Sequence, residues 1–254
     1  MDTEIKKAFA KVPEATLVFW ILKVAATTLG ETGGDAVSMS MNLGYLVGTA
    51  IFAVLFLVFV ALQIRAKRFR PYLYWLTIIA TTTVGTTLAD FADRSLGIGY
   101  AGGSTILLIL LLASLIVWYR TMGSISIHSV NSDKSEMFYW VTIMFSQTLG
   151  TALGDWTADS AGFGYGKAAV LFCSLLLVVL ALNYATKISK FILFWAAFIL
   201  TRPLGAVVGD FLDKPLDHGG LNLSRYTATA VLVGFIALGI LIFPQKAAAS
   251  GSGH

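Results

Sequence analysis

Residues Tyr139 to Asp155 read YWVTIMFSQTLGTALGD: an aromatic pair, then Gly150 ten residues after the tryptophan and Asp155 fifteen residues after it. The same register holds for Phe19-Trp20 with Gly30 and Asp35, for Tyr74-Trp75 with Gly85 and Asp90, and for Phe194-Trp195 with Gly205 and Asp210. A small residue precedes every aspartate, namely Gly34, Ala89, Gly154 and Gly209. A pattern kept this strictly over four copies marks an internal repeat, each copy one supersecondary unit. The tryptophans are 55, 65 and 55 residues apart, so the ten extra residues fall in the middle, in GSISIHSVNSDKSE.

On an α-helix residues four apart stack on one face. The positions seven, eleven and fifteen after each tryptophan therefore form a stripe: Thr27-Glu31-Asp35, Thr82-Thr86-Asp90, Gln147-Thr151-Asp155 and Arg202-Ala206-Asp210. The first stripe extends back to Lys23. Beside it runs a small-xxx-small pattern that allows close backbone approach between helices in a membrane. These four helices are expected to pack together with their polar stripes inward.

The rest of the chain explains why polar groups need enclosing. Of 254 residues 57% are hydrophobic and 13% charged, and the mean hydropathy is +0.78, which places the chain in a bilayer. Apolar runs at Leu46–Leu62, Ser104–Tyr119, Ala168–Leu182 and Thr227–Phe243, with their flanks, supply one more helix per repeat. The fold expected is an all-α integral membrane protein. Eight transmembrane helices come from four parallel two-helix repeats around a pseudo-symmetric polar centre. The repeats run over about 15–65, 70–121, 135–187 and 189–244 of a single membrane domain, 1–246, with the halves joined by loop 121–136. Residues 247–254 read as a linker and tag remnant.

Two spans per repeat make every repeat enter from the same side. Twelve Lys and Arg lie at the ends and between repeats and four in the loops within repeats, so both termini are expected in the cytoplasm of a bacterial inner membrane. The net charge of +4 follows from this topology and implies no nucleic-acid partner. Cys173 is the single cysteine and His128 and His218 lie in loops, which removes disulfides, thiol clusters and paired intramembrane haem ligands.

The motifs FW…TLGETGGD, YW…TVGTTLAD, YW…TLGTALGD and FW…PLGAVVGD resemble a family of bacterial membrane proteins with four tandem two-helix repeats, domain-of-unknown-function family 347. The resemblance covers nearly the whole chain. It implies an eight-span inner-membrane protein and no settled activity.

Chemistry has to come from the stripe. No nucleophile stands beside a general base and no phosphate loop is present, so no enzyme and no cofactor is expected. The proposed ligands are all oxygens, which suit hard cations such as Mg, Ca or Mn. Asp35, Asp90, Asp155, Asp210 and Glu31 are the candidate metal ligands, with Thr27, Thr82, Thr86, Gln147 and Thr151 lining the path and Lys23 and Arg202 balancing charge. These five acids and two cations sum to −3, room for a divalent cation or for protons. The expected function is cation transport, Mn²⁺ first, with protons as the counter-ion; the partners are lipid, the cation and protons, and a homo-oligomer is allowed. Two alternatives stand beside it. One is a proton-coupled carrier of a small organic solute held by Arg202; the other is a non-transporting sensor or assembly factor with structural aspartates.

Overall fold

The computed structural model describes residues 11–126, 129–130 and 132–248. His128, part of the 121–136 loop, and the tail from 249 lie outside them. The described residues contain eight α-helices: α1 (Leu17–Asp35), α2 (Gly44–Arg65), α3 (Pro71–Asp90), α4 (Tyr100–Met122), α5 (Asp133–Asp155), α6 (Gly164–Ala185), α7 (Lys190–Asp213) and α8 (Arg225–Ile242). Local chemistry sets their starts. Thr16 accepts a hydrogen bond from the Phe19 N–H to cap α1, Pro71 opens α3 at a position where its missing N–H costs nothing, and Ser132 with Ser135 forms a capping box on α5.

The helices carrying the tryptophan–aspartate register close into a ring in the order α1, α3, α5, α7 and back to α1. Each remaining helix packs on the ring helix of the following repeat: α2 on α3, α4 on α5, α6 on α7, and α8 on α1. The last repeat is thereby locked to the first. Glycine permits the closure. The Gly30 backbone lies against Thr82, Gly85 against Gln147, Gly150 against Arg202 and Gly205 against Thr27, each contact joining one repeat to the next. A Cβ on Gly30, Gly150 or Gly205 would collide with the neighbouring side chain.

The tryptophan end is closed by aromatics in the same cyclic order. Phe19 meets Trp75 at 5.6 Å between ring centroids, Tyr74 meets Trp140 at 5.8 Å, Tyr139 meets Trp195 at 6.3 Å and Phe194 meets Trp20 at 5.5 Å. The Tyr74 and Tyr139 hydroxyls share a hydrogen bond of 2.8 Å. Across this floor runs the segment from Lys11. Its Nζ donates to the Ile64 carbonyl at 2.9 Å and pairs with Glu136, while Ala248 N–H donates to the Val12 carbonyl at 2.9 Å. Ala247 and Ala248, placed in a tail by the sequence reading, thus sit against the N-terminal strap, and Ala248 is buried.

At the other end three ring helices run past their aspartates into single π-helical turns, Ala36–Ser40, Phe91–Ser95 and Trp156–Ser160. Repeat 4 departs: α7 continues to Asp213, and Leu216–His218 forms a short 3₁₀ turn within the longer connection. Five helices, α2, α4, α6, α7 and α8, are long and apolar enough to cross a membrane. Helices α1, α3 and α5 carry the buried acids and threonines, which lower their apolarity while hiding the polar groups in the ring. Buried threonines satisfy their hydroxyls on backbone carbonyls, as Thr81 does on Ile78 at 2.6 Å and Thr87 on Thr83 at 3.2 Å.

Candidate functional site

The ring encloses the stripes, and all of their polar residues are buried. Thr27, Thr82, Gln147 and Arg202 form the layer nearest the tryptophans. Two of these hydroxyls serve helix packing: Thr27 donates to the Thr201 carbonyl at 3.1 Å and Thr82 to the Ala26 carbonyl at 3.2 Å, the same contact repeated between successive repeats. The Gln147 amide is buried with no hydrogen-bond partner among the described residues.

Arg202 ties the ring together. Its Nη2 donates to Glu31 Oε2 on α1 at 3.0 Å, to Thr86 Oγ1 on α3 and to Thr151 Oγ1 on α5. Its Nη1 reaches the Thr27 carbonyl at 3.5 Å. One fully buried guanidinium from α7 thereby contacts all three other ring helices. Its planar fork of donors suits this role in a way that a lysine ammonium does not. Ala206, the apolar break in the fourth stripe, packs against Gly154. Lys23 reaches no carboxylate. Its Nζ lies 4.3 Å from the centre of the Phe198 ring and has no hydrogen-bond partner among the described residues, so its charge is met by an aromatic face and not by an acid.

The four aspartates converge one turn beyond Glu31. One carboxylate oxygen from each of Glu31, Asp155 and Asp210 lies within 4.8 Å of the other two, and the same holds for Glu31, Asp35 and Asp90, and for Asp35, Asp210 and Asp213. The five acids expected to act together are therefore brought together, with Asp213 in addition.

Two cations bridge them. Arg94 Nε lies 2.9 Å from Asp90 and its Nη2 lies 3.3 Å from Asp155; Lys214 Nζ lies 2.8 Å from Asp35 and 3.0 Å from Asp210. Tyr45 and Tyr100 flank the Arg94 guanidinium, Tyr45 accepting from Nη1 at 3.3 Å. Arg225 Nε pairs with Asp213 at 3.1 Å. Burial works against the Lys214 charge, but Asp210, Asp35 and Asp213 outweigh it and hold the ammonium well above the ordinary lysine range.

Arg94 and Lys214 are two of the four cations that the sequence places in loops within repeats, outside the sum of −3. Each stands four residues after a stripe aspartate, so continuing the stripe by one turn would have found both. With them the formal sum over five carboxylates and four cations, counting Lys23 although it touches no acid, becomes −1. Two carboxylate oxygens of the cluster, Asp155 Oδ1 and Asp213 Oδ1, are buried with neither a hydrogen bond nor an ion pair among the described residues.

Comparison with known families agrees with the repeat. The model described as Repeat of Unknown Function (DUF347) matches residues 18–69, 73–124, 138–189 and 193–246. The protein belongs to the DUF347 family. Each DUF347 match spans most of one ring helix and the whole outer helix that follows it, so the family unit follows the structural repeat, although the packing unit pairs helices of successive repeats. No curated protein and no solved structure gives a significant match to this DUF347 chain.

Proposed function

We propose that this protein is a cation carrier of the bacterial inner membrane, with eight spans, both termini in the cytoplasm, and a hard divalent cation, Mn²⁺ first, as cargo. The observation that carries this reading is the convergence of six buried carboxylates at one end of the ring, three sets of three having oxygens within 4.8 Å of one another. Such a set costs free energy in a bilayer unless cations neutralise it. The eight-span reading is supported by the ring itself: α1, α3 and α5 lie side by side with α7, which is apolar enough to cross, and their lengths of 19, 20 and 23 residues approach the 24 of α7.

Charge bookkeeping assigns the steps. With five carboxylates against four cations only one further positive charge is needed for neutrality, so a dication enters when one tethered cation withdraws. Arg94 and Lys214 are suited to this, with side chains 29% and 10% exposed, whereas Arg202 is wholly enclosed. Loading a metal onto carboxylates that have taken up protons releases those protons, which makes proton exchange the natural coupling. In the alternative, in which Arg202 grips an organic carboxylate, the solute would meet Nε, which has no hydrogen-bond partner among the described residues, since Glu31, Thr86 and Thr151 already occupy Nη2.

A second reading has a specific observation in its favour: every stripe aspartate already has a cationic partner, as a purely structural network would. Cellular metal content, measured over many elements with and without the protein, separates the two. A carrier changes the content of one divalent metal and Asp155→Asn abolishes the change; a structural network leaves every element where it was.

A further inference from the structure

The four seams between ring helices are not filled alike. At the α5–α7 seam, Trp118 of α4 is fully buried, stacked on Phe138 at 6.5 Å and edge-on to Tyr139 at 6.3 Å and Trp195 at 6.0 Å. In the next repeat the register places Leu193, Phe194 and Trp20 in the positions of Phe138, Tyr139 and Trp195, and places Asn183 of α6 where Trp118 stood. Asn183 is far smaller than an indole. At the α7–α1 seam these counterparts, Trp20, Leu193, Phe194 and Asn183, line part of a longer cavity of about 580 Å³, and the missing indole opens that part of it.

The cavity has a direction. It reaches from Lys190 to Thr201 along α7, eleven residues or about 16 Å of helix, which is about half of a bilayer's roughly 30 Å apolar core. Its walls are apolar over most of that length. At its mouth the Lys190 ammonium is held at the Asn183 carbonyl.

We infer that this groove is a binding site for one anionic phospholipid, an acyl chain taking the place of the missing indole and the phosphate meeting Lys190. The inference rests on the chain lying in a bilayer and is independent of what the aspartates carry. Apolar depth of one leaflet matches an acyl chain, and a lysine at headgroup level selects an anionic head over a zwitterionic one. The equivalent seam at α5–α7 has no room for the same guest.

The test is native mass spectrometry of the full chain in detergent with phosphatidylglycerol or phosphatidylcholine added, together with maleimide labelling of Cys173, an exposed cysteine that lines the cavity. The expected result is one retained phosphatidylglycerol that slows Cys173 labelling, with phosphatidylcholine retained less. Lys190→Gln lowers that preference roughly five-fold, the factor one lysine at a membrane surface supplies, and Asn183→Trp removes retention. Equal retention of both lipids, or retention and labelling unchanged in both variants, overturns the proposal. So does retention that appears only when residues 1–10 are removed, because that segment would then be the occupant.

Discussion

Arg94 and Lys214 stand at the same position of repeats 2 and 4, nineteen residues after the tryptophan, and each bridges its own repeat's aspartate to that of the next repeat. Repeats 1 and 3 have Met39 and Asp159 there. A fourfold ring of aspartates is thus bridged with twofold periodicity, one cation for each pair of acids, which halves its charge.

Removing Arg94 leaves Asp90 and Asp155 without their partner, whereas removing Lys214 leaves Asp210 alone and Asp35 with Arg225 at 3.7 Å. Arg94→Gln is expected to lower stability by about 3 kcal/mol, the range for breaking a buried pair from one side. Adding Asp155→Asn should return part of the loss. Thermal unfolding in detergent of the two single variants and the double reads the coupling directly.

Arg202 and Glu31 should behave as a unit. Arg202→Met strands the Glu31 carboxylate among α1, α3 and α5 and is expected to cost about 3–5 kcal/mol, while Arg202→Met with Glu31→Gln recovers much of it. Arg202→Lys keeps the charge but not the fork, so its stability should fall between wild type and Arg202→Met. Denaturation of all four proteins under one condition decides the order.

Ring closure depends on glycine at the contacts and not on glycine in general. Gly205→Ala drives a methyl into Thr27 and should destabilise by more than about 2 kcal/mol, within the range for overpacking a core. Gly234 lies in α8 with open space around its Cα, so Gly234→Ala should be neutral or stabilising by about 0.5–1 kcal/mol. A thermal-shift comparison of the pair checks the contrast.

The pH response of Lys214 has a fixed sign. Its pKa is raised by folding, so the stabilisation it gives is complete below the unfolded value of about 10.4 and is lost as pH rises through the interval up to the folded value. Wild-type melting temperature should therefore fall above pH 10 by a contribution that Lys214→Gln lacks, with no such contribution between pH 6 and 9.

The sequence made legible what repeats: the tryptophan, the glycine ten residues on, and the aspartate, hence the ring, its inward face and the five acids that meet in it. It concealed what depends on register between helices. Helices α2, α4 and α6 are apolar around most of their circumference, so no face of theirs marks a partner, and their packing on the following repeat emerges only from the closed ring. Arg94 and Lys214 were hidden for a different reason. They follow the aspartates at a point where a helix was expected to end, and the π-helical turn in repeat 2 and the longer α7 in repeat 4 carry the stripe one step further. Trp118 and Asn183 are an unequal pair at one register position, and the difference acquires meaning only when the two seams are compared.

The central claim is that the buried carboxylates load a divalent cation when one of the two bridging cations, Arg94 or Lys214, withdraws. Mn²⁺ flux into proteoliposomes, with internal pH followed in the same vesicles, tests it most directly. The account predicts saturable Mn²⁺ movement by the wild type with opposing proton movement, and loss of both in a folded Asp155→Asn variant. Flux absent from the wild type for every divalent ion tried, or unchanged in Asp155→Asn, would contradict it.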